Sequence, residues 1–279
     1  MAQAIWAHGG AGSCSPSPCP SAFVMNAIAK SVGGVVVPLS ILSLVVALSF
    51  HGGQEKEAPA PGPDEKVVYF IRHGEAFHNL KWDWSLPDPE LTPRGEQQAL
   101  SLRNSSILSA ALSADEGRRA ELLVASPLRR TMQTALVGFG DLKPTLPWLL
   151  EPDIQEKNAV PCDTASPDLG AAYLAQAGRL DLLEQYRMLP EGWQKKEGAY
   201  APDVTSLKAR FQRFSERLRD RPERVFLVVT HDHCLQAGLG LERAKKFANC
   251  EARPYALTPR AEWRELPRDG NWLQASQDR

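Results

Sequence analysis

Lys66-Val-Val-Tyr-Phe-Ile-Arg72-His73-Gly74-Glu75 is the stretch on which the reading of this chain turns. Lys66 to Ile71 is short, β-branched and aromatic, the pattern of a buried strand, and its carboxyl end delivers Arg72 and His73. Two further runs share this character: Glu121-Leu-Leu-Val-Ala125 and Arg224-Val-Phe-Leu-Val-Val-Thr230. The last is apolar throughout, as a central parallel strand should be, and His231 follows it. Thr92-Pro93 reads as an N-cap followed by proline in the first turn, predicting a helix from Pro93 to Leu112. Ser126-Pro127 repeats the signal and predicts a helix with Arg129 and Arg130 in its first turn. Val204 to Leu218 is amphipathic, with Leu207, Phe211, Phe214 and Leu218 on one face. Strands alternating with helices imply an α/β fold with a mostly parallel sheet. In such sheets ligands bind outside the carboxyl ends of the strands. Arg72, His73, Arg130 and His231 all fall at or just beyond such ends.

The amino-terminal fifth is a different kind of chain. Lys30 is the single charged side chain among the first 54 residues, and Val32 to Phe50 is almost wholly apolar. A bilayer core calls for about 20 apolar residues in a helix, which this run just supplies. Read as an uncleaved anchor, it associates the protein with a membrane through residues 32–50. Read as the core of a signal peptide, it uses Met25 to Lys30 as a basic n-region and Ala47-Leu48-Ser49 as a cleavage site. Either reading directs the chain to the secretory pathway or a membrane; without them it is cytoplasmic or organellar. Glu55 to Asp64, rich in Pro, Ala and charge, reads as a flexible spacer. Residues 1–63 therefore form a signal or anchor segment with a linker, and residues 64–279 form the catalytic domain. The net charge is -1, from 32 basic and 33 acidic residues, so nothing calls for nucleic acid as a partner. The five cysteines are odd in number and irregularly spaced, indicating neither a disulfide framework nor a metal cluster.

Two arginines and two histidines converging on one crevice suit a phosphoryl group. Arginine grips tetrahedral oxyanions through paired donors. Transfer of a phosphoryl group rests mainly on positioning and charge stabilisation. A neutral imidazole can attack phosphorus and form a covalent intermediate. Nearby guanidinium groups favour that neutral form against the ordinary value of about 6.5. The leaving alkoxide then needs a proton from a carboxylic acid or a histidine.

Four blocks carry a specific resemblance. They are Arg72-His73-Gly74-Glu75-Ala76-Phe77-His78-Asn79, Asp88 to Ala99, Ser126-Pro127-Leu128-Arg129-Arg130-Thr131, and Val228-Val229-Thr230-His231. In this order they resemble the histidine phosphatase superfamily, the phosphoglycerate mutase-like proteins, and in particular the fungal, plant and algal members, over residues 66 to 258. The resemblance implies a three-layer α/β/α sandwich with a mostly parallel central sheet. It implies hydrolysis of a small phosphorylated substrate, a phosphomonoester, through a phosphohistidine on His73, with no metal and no cofactor. Arg72, Arg130 and His231 would complete the phosphate pocket, and Asn79 would line it. The family's arginine stands four residues after the serine, which selects Arg130 over Arg129. Gln155-Glu156 followed by Pro161-Cys162-Asp163 matches the fungal and plant members and favours Glu156 as proton donor, with Glu151 second. Residues 157–203 carry few strand signals and are expected to form a lid insertion. Asn249 to Tyr255 resembles the same branch and leads into a final strand near Tyr255 to Leu257.

One departure stands out. The family follows its second histidine with glycine, whereas Asp232 and His233 stand here. Asp232 brings negative charge to the phosphate site unless it points away or orients His231. Competing readings are a phosphoglycerate mutase-type phosphotransferase, a catalytically weakened phosphate-binding protein, and a metal-dependent hydrolase using His231 and His233. The oligomeric state is left open.

Overall fold

The computed structural model describes residues 59–268, apart from 114, 116 and 143–145. The apolar run at 32–50, with its anchor and signal readings, lies outside the described residues. Among the described residues, no helix is long and apolar enough to cross a membrane.

One sheet contains β1 (Lys66–Arg72), β2 (Leu122–Ala125), β3 (Trp148–Leu150), β4 (Val225–Thr230), β5 (Ala252–Leu257) and β6 (Trp263–Glu265). Its order is β3-β2-β4-β1-β5-β6. β3, β2, β4 and β1 are parallel neighbours, while β5 joins β1 and β6 joins β5 antiparallel. Side chains alternate across a strand, so each strand feeds two cores. Tyr69, Ile71, Leu123, Leu227 and Val229 meet Met132, Ala135 and Phe139 on one face. Val68, Phe70, Leu122, Phe226 and Val228 meet Leu207, Phe211, Phe214 and Leu218 on the other. Burying each Val, Leu, Ile, Phe or Met side chain among these contributes about 1.5–3 kcal/mol. The sheet is thus covered on both faces, giving the expected α/β/α sandwich.

The helices are α1 (Phe77–Lys81), α2 (Pro93–Ser101), α3 (Arg129–Phe139), α4 (Pro167–Gln176), α5 (Leu180–Arg187), α6 (Val204–Asp220) and α7 (Asp232–Gly238). Thr92 caps α2 as expected, its hydroxyl oxygen accepting from the Gly95 amide at 3.0 Å. The helix stops at Ser101 rather than running to Leu112, and the chain continues as short 3-10 turns at Leu102–Asn104 and Ser106–Leu108. Asn104, Ser105 and Ser106 lie in this stretch, and such residues favour local alternatives to helix. Ser126 does not cap α3; the cap is Leu128, and the Ser126 side chain is used elsewhere. Residues 157–203, expected as a lid, contribute Asp163 to the main cavity described below. Their helices α4 and α5 bury Leu174, Leu182, Leu183 and Tyr186 in the same core as Leu123 and Leu150, because their apolar faces pack against the sheet layer.

One close approach fixes the loop after β1. A Cβ on Gly95 would lie 2.0 Å from the Glu75 carbonyl oxygen, and one on Gly74 would lie 2.6 Å from the Gly95 carbonyl oxygen. Only glycine lets these two backbones touch. Gly95→Ala should therefore destabilise the fold by about 1–3 kcal/mol or more, read as a lower thermal midpoint. An unchanged midpoint would show that the α2–Glu75 contact is loose.

Candidate active site

Parallel register brings the site together. Arg72 pairs with Thr230 across β1 and β4, so the next residues, His73 and His231, emerge side by side. Their ring centroids are 5.2 Å apart. Ala125 of β2 pairs with Val229, so Ser126 follows beside Thr230. Its hydroxyl lies 2.8 Å from Nε2 of His231. Ser126 was missed as a site residue because a Ser-Pro pair looks locally like a helix start.

His73 is 2% exposed. Its Nδ1 lies 2.7 Å from the Gly74 carbonyl oxygen, which can only accept, so Nδ1 carries the proton and Nε2 keeps its lone pair. Arg130 donates through Nε to that Nε2 at 3.2 Å. One N–H of Arg130 Nη1 goes to the Cys162 carbonyl at 2.6 Å and one of Nη2 to Asp163 at 3.1 Å, which leaves the second N–H of each nitrogen for a ligand. Arg72 donates to the Phe247 carbonyl at 2.7 Å, and its Nε is buried without a hydrogen-bond partner. Asn79 accepts from the Ala76 amide and donates to Nε2 of His78, turning that imidazole toward the site.

A cavity of about 710 Å³ opens over this cluster. Arg72, His73, Asn79 and Glu156 line it, as does Asp232. Arg130 and His231 are fully buried and sit behind its wall. Asp232 is buried with one carboxylate oxygen unpartnered, so it faces the cavity and does not hydrogen-bond the His231 ring. His233 and Asp163 also reach the lining; from sequence His233 was a candidate only in the metal-dependent reading, and Asp163 only part of the Pro161-Cys162-Asp163 match.

The two candidate acids part company. Glu156 lines the cavity, its Oε2 3.4 Å from Nδ1 of His233. Burial pushes its carboxyl up, but the nearby His233 imidazole, with Arg130, overrides burial and holds it at about 2. The same pairing raises His233. Glu151 instead binds Arg217 at 2.8 Å, in a cluster where Arg213 and Arg217 also hold Asp153. It does not reach the cavity, which removes it as proton donor. The Glu156 segment is anchored from behind. Fully buried Arg210 of α6 donates to the carbonyls of Asp153, Gln155 and Glu156, and Thr230 donates to that of Ile154 at 2.6 Å.

Among the described residues, His78, Cys162 and Asp163 have donor atoms within 4.8 Å of one another. This is poor ground for a cation: Arg130 already pairs with Asp163, and burial pushes the Cys162 thiol up to about 12. The His231-x-His233 reading does not hold together either, because His231 binds Ser126 while His233 faces Glu156.

Burial, then the charges of Arg130 and Arg72, holds His73 well below 6.5. Burial, then Arg130, does the same for His231 and takes His78 down to about 3. The unfolded chain protonates these imidazoles near pH 6.5, whereas the folded chain does not. Stability should therefore fall as pH drops below that value, by about 1.4 kcal/mol per pH unit for each imidazole. His233 has the opposite sign: its contribution is complete below 6.5 and fades as pH rises past its raised folded value. Asp88, Glu151 and Asp163, raised by burial, oppose the trend below their raised folded values. Urea midpoints should decline steeply just below pH 6.5; a flat profile would contradict neutral burial of the three rings.

Comparison with known proteins gives the family. The profile of the histidine phosphatase superfamily (branch 1) matches residues 68–259. A Schizosaccharomyces pombe protein described as a probable phosphatase is 25% identical over 201 residues, covering 70% of this chain and 87% of its own. Phosphoglycerate mutase-like protein 1 of Arabidopsis thaliana is 26% identical over 242 residues, covering 70% of this chain and 82% of its own. Among solved structures, the alpha-ribazole phosphatase from Shigella flexneri aligns over 72% of this chain and 96% of its own, at 22% identity with a TM-score of 0.46. With its motifs on the strand ends of an α/β/α sandwich, this chain belongs to the histidine phosphatase superfamily, branch 1.

Proposed function

We propose that this chain is a phosphomonoester hydrolase that works through a phosphohistidine on Nε2 of His73. One observation carries the reading: Nδ1 of His73 is tied to the Gly74 carbonyl, which puts the neutral ring's lone pair on Nε2, and the Arg130 Nε–H that meets it there must turn to a phosphoryl oxygen as Nε2 attacks. In the first step the bond from phosphorus to the ester oxygen breaks as the bond to Nε2 forms, and the ester oxygen leaves with the electron pair and takes a proton. Arg72 and Arg130 offset the negative charge on the equatorial oxygens. In the second step water attacks phosphorus and frees His73, returning the proton to the acid. The histidine identities and the metal-free chemistry follow from this scheme. Purified protein should release inorganic phosphate from small phosphomonoesters with chelator present. Loss of release on chelation would contradict it.

In this scheme Glu156 hands over the proton, and its partner His233 stores it. A carboxyl held at about 2 is ionised at neutral pH, whereas His233, 3.4 Å away, is raised by that carboxylate and keeps its proton to higher pH than a free imidazole. The pair is competent while it holds one proton, so activity should decline as pH rises past the raised His233 value. In His233→Ala the proton must sit on a carboxyl alone. The alkaline limb of kcat should then move down by about two pH units, the gap between imidazole and carboxyl reference values. An alkaline limb that stays in place in His233→Ala would eliminate His233 from the proton path.

A further inference from the structure

The cavity is larger than a phosphoryl group needs, and part of its lining has no role in the scheme above. Trp82 and Trp84, on the loop after α1, both line it. Their side chains are 73% and 46% exposed, with ring centroids 6.5 Å apart and planes inclined by 42°. A lone exposed apolar residue needs no explanation, but two neighbouring indoles on one cavity rim form a recognition surface. Trp82 also stands at φ 53, a left-handed conformation costly for a bulky residue and not repaid here by burial. The loop is nevertheless fixed. The Cys162 amide donates to the Trp84 carbonyl at 3.2 Å, and the Cys162 carbonyl accepts from Arg130. One residue thus pins both the indole loop and the arginine beside His73. Arg243 and Lys246 line the same cavity, and neither makes an ion pair among the described residues.

We infer that the site takes an aromatic phosphomonoester bearing a second anionic group. The ring packs on Trp82 and Trp84, the second anion meets Arg243 and Lys246, and the phosphate lies at Arg72 and His73. This inference rests on the hydrolase reading of His73 and names its substrate class. A π-face is matched by indole irrespective of the rest of the molecule, and unpaired cations at a cavity wall select for anions.

Calorimetry on the full chain with three hydrolysis-proof probes tests it: methylphosphonate, benzylphosphonate and 4-carboxybenzylphosphonate. Benzylphosphonate should bind about tenfold more tightly than methylphosphonate, as expected for one aromatic stack. The carboxylate should tighten binding further. Combined Trp82→Ala and Trp84→Ala should cut the benzyl-to-methyl affinity ratio about tenfold, with phenylalanine at both positions restoring most of it. Combined Arg243→Ala and Lys246→Ala should abolish the gain from the carboxylate. Equal affinities for methylphosphonate and benzylphosphonate, or ratios insensitive to these variants, would overturn the inference. Parallel assays on the matching phosphate esters separate the two readings. Phosphate release without the affinity ratios sinks the substrate class alone. The ratios without phosphate release sink the hydrolase and leave the aromatic site standing.

Discussion

His73→Ala should lower phosphate release by about four orders of magnitude or more, the scale of losing a nucleophile from a covalent mechanism. The loss should fall on kcat. Arg72 still lines the cavity, so binding of inorganic phosphate should weaken much less than turnover. The fold should survive, because truncation leaves the Gly74 carbonyl and Arg130 Nε without one partner each, a cost of a few kcal/mol at most. Circular dichroism and a phosphate-binding titration on the variant distinguish loss of chemistry from loss of structure. A folded His73→Ala protein that keeps more than a small fraction of its activity would move the nucleophile elsewhere.

The second large effect is expected far from the nucleophile. Arg210→Met should cost about 3–5 kcal/mol of stability and lower kcat as well. Arg210 is fully buried and spends its guanidinium on three carbonyls, those of Asp153, Gln155 and Glu156. Lys196 also donates to the Glu156 carbonyl, so that oxygen keeps a donor in the variant. The other two do not gain one from methionine. Against a total stability of about 5–15 kcal/mol, such a loss is severe. The segment it loosens carries the Glu156 side chain into the cavity, which ties the stability change to the proton donor. Arg210→Lys should rescue only in part, because a single ammonium lacks the planar fork that reaches several carbonyls at once. An unchanged urea midpoint in Arg210→Met would show that these carbonyls find water instead.

Arg210 also shows what the sequence held and what it withheld. Leu207, Arg210, Phe211 and Phe214 follow helical spacing, so the sequence carries a charge on the apolar face of α6, a signal that was passed over. Its partners were not, since they lie more than fifty positions away. The long β-branched strands β1 and β4 were legible, and with them the strand-end positions of His73 and His231. Register was not legible, and it is register that sets the two rings 5.2 Å apart. β3 and β6 span three residues each, too short for a periodic signal, and their pairing comes from the neighbouring strands. Ser126 was misread because its helix-cap signal is local, while its actual partner, His231, is 105 residues distant. Glu151 and Glu156 were equivalent by composition. Arg217 and Arg213 on one side and the cavity on the other tell them apart, and those are tertiary facts. Trp82 and Trp84 lie in a loop that offers no pattern, and only the cavity reveals them.

The covalent step is the centre of this account. Its most direct test is a rapid-mixing experiment with a labelled phosphomonoester, quenched in alkaline detergent, which preserves phosphorus–nitrogen bonds. Peptide mapping of the trapped protein should place the label on His73, formed at least as fast as turnover and absent from His73→Ala. Turnover without any labelled protein, or a label on a residue other than His73, would contradict the mechanism.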